Sequence, residues 1–229
     1  MLEIRLAAVD ALLLVLGDRA CAQTADRVAT ATAILRTALA DCLTDLVPSY
    51  ASVLLTFDLR RTRAAVLSDR VTALLQDLDQ RVEASDAGTL VTLPVWYDPG
   101  VGADLQAVAQ RHQLEIAELI EIHAAPEYRV YAIGFSPGFG YLGDVDERIA
   151  TPRRARPRVR VPAGSVALAE RQTAVYPQST PGGWNLLGRC PLRLFDARNP
   201  PYLRFQVGDR VRFEPIDRAE YQRLQALRE

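Results

Sequence analysis

The sequence predicts an α+β protein in two parts: a small α/β sandwich over residues 1–86 and a closed or nearly closed β-barrel over 87–229. Three observations predict it. Apolar residues recur at helical spacing in two stretches before residue 81. From Glu127 the period changes to two, in short runs separated by turn residues. Most of the glycines, prolines and aromatics gather between His123 and Asp196, and many short strands joined by Gly/Pro turns imply a barrel.

In order along the chain, residues 4–16 are leucine-rich, end at Gly17-Asp18 and read as one buried strand. Residues 24–46 read as a helix whose inner face is Val28, Leu35, Leu39, Cys42 and Leu46, stopped by Pro48. ASVLLTFD, over 51–58, is a second strand. Residues 63–80 make a second helix with Leu67, Val71, Leu74 and Leu78 on one side. Ser85-Asp86-Ala87-Gly88 is a turn, and TLVTLPVWYD is a third strand. The order β-α-β-α-β gives a sandwich with its helices on one sheet face. Nothing in it is catalytic by type, so it reads as a scaffold.

Residues 103–123 read as helix, short turn, helix. This is the outline of a DNA-binding motif. However, Asp104, Glu115, Glu118 and Glu121 outnumber Arg111, and phosphates repel such a surface. Strands are expected at Tyr128 to Phe135, Val159 to Val161, Ser165 to Ala169, Thr173 to Tyr176, Leu192 to Phe195 and Arg210 to Phe213. RAEYQRLQALRE closes the chain as a short amphipathic helix.

Composition narrows the function. The net charge of −1 favours no polyanionic partner. Apart from two histidines, every basic residue is arginine, which excludes a Schiff-base lysine and a P-loop lysine. Cys21, Cys42 and Cys190 are an odd, widely spaced set, neither a disulfide frame nor a zinc site. No metal is expected within the chain. The opening apolar run is short, broken by Asp10, and lacks a basic leader. A cytoplasmic protein without membrane spans is expected.

The chemistry-bearing residues lie between His123 and Asp196. In an extended segment, Arg154, Arg156, Arg158 and Arg160 share one face. Four guanidiniums together repel unless anions or acids meet them. Two readings stand: an anionic-ligand site, or a charged edge paired with local acids. GFSPGFGYLG lacks the helix-opening context of a dinucleotide loop and suits a pocket wall. In TPGGWNLLGR, the N–H groups of Gly182 and Gly183 are candidate donors to a carboxylate, with Trp184 as an apolar wall. His112 reads as a surface residue. His123 ends a helix, where a general base and a helix cap are both consistent readings. Ser136, Ser165 and Ser179 lack a G-x-S-x-G context, so a serine hydrolase is not indicated.

Taken together, HAAPEY, GFSPGFGYL, TPR-x₃-PR-x-RVPAGSV, QTAVYP, TPGGWNLLGR and PLRLFD resemble the 5-oxoprolinase B-subunit family, also called allophanate hydrolase subunit 1 or the Kip-type sporulation-kinase inhibitor family. PSYASVLLTFD and the LPVWYD–DL–VA passage extend the likeness over nearly the whole chain. The resemblance implies that the barrel is cyclophilin-like. It implies ATP-dependent opening of 5-oxoproline, a small anionic cyclic amide, to glutamate. The partners implied are a second cyclophilin-like protein, the 5-oxoprolinase C-subunit type, and a lactamase-type protein, the A-subunit type. ATP would be bound by the chain or by the assembled complex. Two other branches imply a histidine-kinase inhibitor and a carboxyltransferase lobe related to urea carboxylase.

Carried onto this chain, the resemblance and the chemistry make His123 and Glu127 the candidate proton-transfer groups. Arg153, Arg158 and Arg189 would bind anions with Gly182, Gly183, Ser165 and Gln172. Phe135, Phe139, Tyr141, Tyr176 and Trp184 would wall the pocket. The chain departs from the family in having Ala167, Glu170, Arg171 and Ala174 where glycines are common. A left-handed backbone at those positions would be strained.

Overall fold

The computed structural model describes residues 2–83 and 88–227, which form two compact units, one up to Gly88 and one from Thr89. The protein is mixed α/β with mostly antiparallel strand pairing.

The first unit contains β1 (Glu3–Ala8), β2 (Ala11–Val15), α1 (Ala22–Ala38), β3 (Leu43–Ser49), β4 (Ser52–Phe57), α2 (Ala64–Leu74) and α3 (Leu78–Glu83). Its strands lie in the order β1-β2-β4-β3, each neighbour antiparallel. The run expected as one strand over 4–16 is therefore a hairpin, turned at Val9-Asp10. Asp10, which breaks the apolar run, lies in that two-residue turn. The helix expected to reach 46 stops at Ala38, and β3 follows. Leu39, Cys42 and Leu46 are buried as their spacing demands, but a turn and a strand bury the last two. The helix expected over 63–80 is two helices, α2 and α3, and Leu67, Val71 and Leu78 face inward. Most of the turn expected at 85–88 lies outside the described residues.

The second unit adds β5 (Leu90–Val95), α4 (Leu105–Arg111), α5 (Ile116–Ala124), β6 (Tyr128–Ile133), β7 (Gly140–Gly143), β8 (Arg158–Val161), β9 (Ser165–Ala169), β10 (Gln172–Val175), β11 (Thr180–Gly182), β12 (Asn185–Arg189), β13 (Arg210–Pro215) and α6 (Arg218–Ala226). β5, expected as the third strand of the sandwich, instead pairs in parallel with β13. The order continues β13-β6-β7-β10-β9-β12 through antiparallel pairs. Beyond β5, Trp96 bridges Arg189 at the end of β12, through two backbone hydrogen bonds of 2.9 Å. β8 and β11 form a separate two-stranded sheet. Leu192 to Phe195 is not a strand; Phe195 makes a single bridge to Leu203. β7, β11 and β12 lie in stretches whose glycines read as loops.

Strand periodicity sorts the side chains onto two faces. Val166, Leu168 and Val175 join the main core with Leu105, Leu119, Tyr128 and Phe213. The alternate positions, Ala167, Ala169 and Ala174, face a smaller cluster with Phe139, Tyr176 and Trp184. Three alanines leave that face shallow, so large aromatic rings and a crossing segment can lie over it.

Candidate functional site

The aromatic ring set is built on that shallow face. Phe139 lies at its centre, with ring centroids 5.2 Å from Phe135, 5.0 Å from Tyr141, 5.2 Å from Tyr176 and 5.6 Å from Trp184. All four contacts are edge-to-face, the arrangement that places the positive edge of one ring on the negative face of another. These five rings border a hollow of about 230 Å³, together with Arg153, Arg154, Pro157, Pro181, Gly182 and Gly183. Phe135 stands at the rim, 60% exposed, with a left-handed backbone at φ 66°. A bulky residue held there is strained, and such strain gathers at ligand sites.

Gly182 explains the close fit of the glycine turn. A Cβ there would lie 2.3 Å from the Tyr176 hydroxyl oxygen, so only glycine admits the phenol beneath the turn. Burial pushes the Tyr176 hydroxyl pKa up. A backbone hydrogen bond from Trp184 and the charges of Arg153 and Arg158 pull it partly back. The Arg153 guanidinium lies 6.0 Å from the Trp184 ring centroid, a cation–π placement that leaves its charge beside the hollow.

The segment over 152–158 is fastened across this face. The Arg154 N–H donates to the Gly183 carbonyl at 2.8 Å, and the Asn185 amide donates to the Pro152 carbonyl at 2.9 Å. Asp104, the residue before α4, is buried beneath. One of its oxygens accepts from Arg154 at 2.6 Å and from Arg158 at 2.8 Å, and the other accepts from the Leu186 N–H at 2.7 Å. Arg160 turns elsewhere and donates to Ser179 at 3.0 Å. Of the arginines expected to share one face, Arg154 and Arg158 thus meet at Asp104, whereas Arg160 does not.

The structure brings Arg153, Gly182, Gly183 and all five wall residues to one hollow. It does not bring the others there. Arg158 is tied to Asp104 beside it. Arg189 and Ser165 stand opposite each other where β9 meets β12, each with a buried polar atom, Nε and Oγ, without a hydrogen-bond partner. Gln172 begins β10, opposite Ala169.

The placement of His123 and Glu127 is a correction to their expected role. His123 is fully buried in the core and stacks on Phe213 at 4.8 Å. The Thr173 hydroxyl donates to the Ala167 carbonyl at 3.0 Å, so it accepts from His123 Nε2–H at 2.9 Å. The remaining ring nitrogen, Nδ1, then accepts from the Tyr97 hydroxyl at 2.7 Å. Both nitrogens are used, and burial depresses the pKa to about 3. A base so enclosed reaches no ligand. Glu127 is paired with Arg210 and Arg212, which hold its carboxyl below the usual range. Neither residue lines the hollow.

Arg154, one of the four arginines expected to share a face, lines the hollow, and Asp104, which the sequence does not single out, pairs with it. The available signal is the need for an acid to meet the clustered arginines. That acid lies 50 residues from Arg154, a separation no local pattern reveals. The glycine departures resolve unevenly. Glu170 does take a left-handed backbone, φ 55°, at the β9–β10 turn. Ala167 and Ala174 are buried strand residues outside that region. Among the described residues, no group of three or more His, Cys, Asp or Glu is placed to hold a metal ion. No helix of the described residues is long and apolar enough to cross a membrane.

Known proteins share this outline. The model of the carboxyltransferase domain, subdomain C and D, matches residues 2–204. A protein from Bacillus subtilis (strain 168), named as the B subunit of 5-oxoprolinase, is 38% identical over 185 residues, 77% of each chain. A protein of the same name from Escherichia coli O157:H7 is 49% identical over 126 residues, 55% of this chain and 57% of that one. The crystal structure of TTHA0988 superposes with a TM-score of 0.81 at 35% identity, covering 92% of this chain but only 40% of the other. Kluyveromyces lactis urea carboxylase shares the fold, with a TM-score of 0.74 at 15% identity over 99% of this chain and 23% of that one. The chain belongs to the carboxyltransferase-domain family of subdomains C and D, to which its motifs pointed, alongside relatives named as 5-oxoprolinase B subunits.

Proposed function

We propose that the chain is one subunit of a cytoplasmic, ATP-dependent 5-oxoprolinase that opens 5-oxoproline to glutamate. Its partners are a second cyclophilin-like subunit and a lactamase-type subunit. The relatives' names support the activity. The observation that carries the site is the hollow where Arg153, Gly182 and Gly183 meet five aromatic rings. The second unit is the cyclophilin-like barrel, and the Trp96–Arg189 bridge between β5 and β12 supports its closure.

The chemistry follows from the substrate. A lactam is resonance-stabilised, and its carbonyl oxygen is a poor leaving group. Transfer of the γ-phosphoryl group to that oxygen makes the ring carbon electrophilic. Water adds to it, the ring C–N bond breaks, and the amine nitrogen takes up a proton, leaving an acyl phosphate. A second water then hydrolyses the acyl phosphate to the carboxylate and free phosphate. Arg153 holds the substrate carboxylate at the mouth, and the rings grip the apolar edge. The Gly182 and Gly183 N–H groups are the donors for developing negative charge. At about 230 Å³ the hollow suits a small cyclic amide rather than a whole nucleotide. ATP and the proton-transfer groups therefore come from the assembled complex, since His123 and Glu127 lie elsewhere. The purified single chain is expected to be inactive.

The test is co-expression with the partner subunits and measurement of ATP-dependent glutamate release. Arg153→Gln is expected to raise KM for 5-oxoproline about tenfold or more, the loss of a charge-assisted contact. Unchanged turnover in Arg153→Gln and Gly182→Ala together would remove the hollow as the site.

A further inference from the structure

Of the arginines around the hollow, Arg154 lines it, while Arg158 does not. Both converge on one oxygen of Asp104. The Asp104 side chain is only 6% exposed, against 36% for Arg154 and 22% for Arg158. Its other oxygen is held by the Leu186 N–H, so the carboxylate is fixed at both ends. Arg154 is also anchored at its own backbone, through Gly183. Its guanidinium is therefore preset relative to the Gly182-Gly183 turn.

The charges do not cancel. Arg154 and Arg158 share the single Asp104 carboxylate, and Arg153 lies over the Trp184 ring, so the three guanidiniums exceed that one acid by two positive charges beside the hollow. Arg158 Nη1 is buried without a hydrogen-bond partner, a further sign of excess donors. A buried ion pair adds little stability over apolar packing, so its use here is orientation and charge.

We propose that Arg154 binds the anionic group of the substrate beside Arg153, and that Asp104 is the positioning residue that aims Arg154 into the hollow. This rests on the reading of the hollow as the substrate site. It assigns function to two residues on separate elements: Asp104 at the start of α4, and Arg154 in the crossing segment before β8.

The test uses the assembled complex with saturating ATP and 5-oxoproline as the varied substrate. Arg154→Gln is expected to raise KM about tenfold or more, with most of the effect on KM rather than kcat. Asp104→Asn is expected to do the same. Because Asp104 acts through Arg154, the double variant should be no worse than the poorer single variant. A neutral analogue provides the second readout. In a Trp96→Phe background, 2-pyrrolidone binding followed by Trp184 fluorescence should change little in Arg154→Gln, since 2-pyrrolidone has no carboxylate.

If Asp104→Asn does not fold, Arg154→Gln alone decides the matter. An unchanged KM in Arg154→Gln, with a raised KM in Arg153→Gln, overturns this inference and leaves the hollow as the site. Unchanged KM in both overturns the two readings together. Equal loss of 5-oxoproline and 2-pyrrolidone binding, or additive effects in the double variant, shows a purely structural role for the pair and also overturns it.

Discussion

A histidine near a glycine-rich stretch and a glutamate four residues on invite a catalytic reading, and only their neighbours decide against it. His123 is neutral because burial removes the water that would stabilise its cation. Its folded pKa, about 3, lies below the unfolded value near 6.5. The unfolded chain therefore takes up a proton first as pH falls. The stabilisation is complete above pH ~6.5 and is lost towards pH 3, at about 1.4 kcal/mol per pH unit. Urea unfolding at pH 7 and pH 5 checks this: His123→Gln should be less stable at pH 7, but its stability should fall less steeply with acid. Glu170 offers a second test. Its left-handed backbone costs a non-glycine residue about 1 kcal/mol, so Glu170→Gly should raise Tm by roughly 2–4 °C in a thermal melt. An unchanged or lower Tm would mean the turn is not strained.

Among the elements, the segment over 152–158 and the turn at 182–183 form the site only in combination. Gly183 accepts from Arg154, Asn185 reaches Pro152, and Asp104 joins both from α4. Gly182→Ala should push a methyl group into the Tyr176 hydroxyl and cost about 1–3 kcal/mol by overpacking. Chemical unfolding measures that loss. Paired with Tyr176→Phe, which removes the oxygen, the penalty should shrink; the same loss in both backgrounds would show that the contact is not responsible. That the five rings lie near one another was legible because aromatics, prolines and glycines cluster in short motifs. The arginine partners were not, because Asp104 is distant in sequence and its acidic neighbours suggested only a helix surface.

At the scale of the molecule, β13 lies between β5 and β6, and its Val211 and Phe213 are buried in the main core. A chain ending at residue 204, where the family match stops, would lose that strand. It is expected to lose folded structure throughout the second unit, seen as a missing cooperative melt in the truncated protein. Survival of that transition would place the core elsewhere. The sequence by itself determined the mixed helix-and-strand character, the helices from 105 to 124 and the family, since each rests on local period or contiguous motif. Tertiary structure decided that 4–16 is a hairpin, that β5 belongs with β13, and that His123 is a core residue while Arg154 reaches the hollow. The physical reason is common to all of these. Strand partners, burial and charge pairing are set by residues far apart along the chain, which local spacing does not encode.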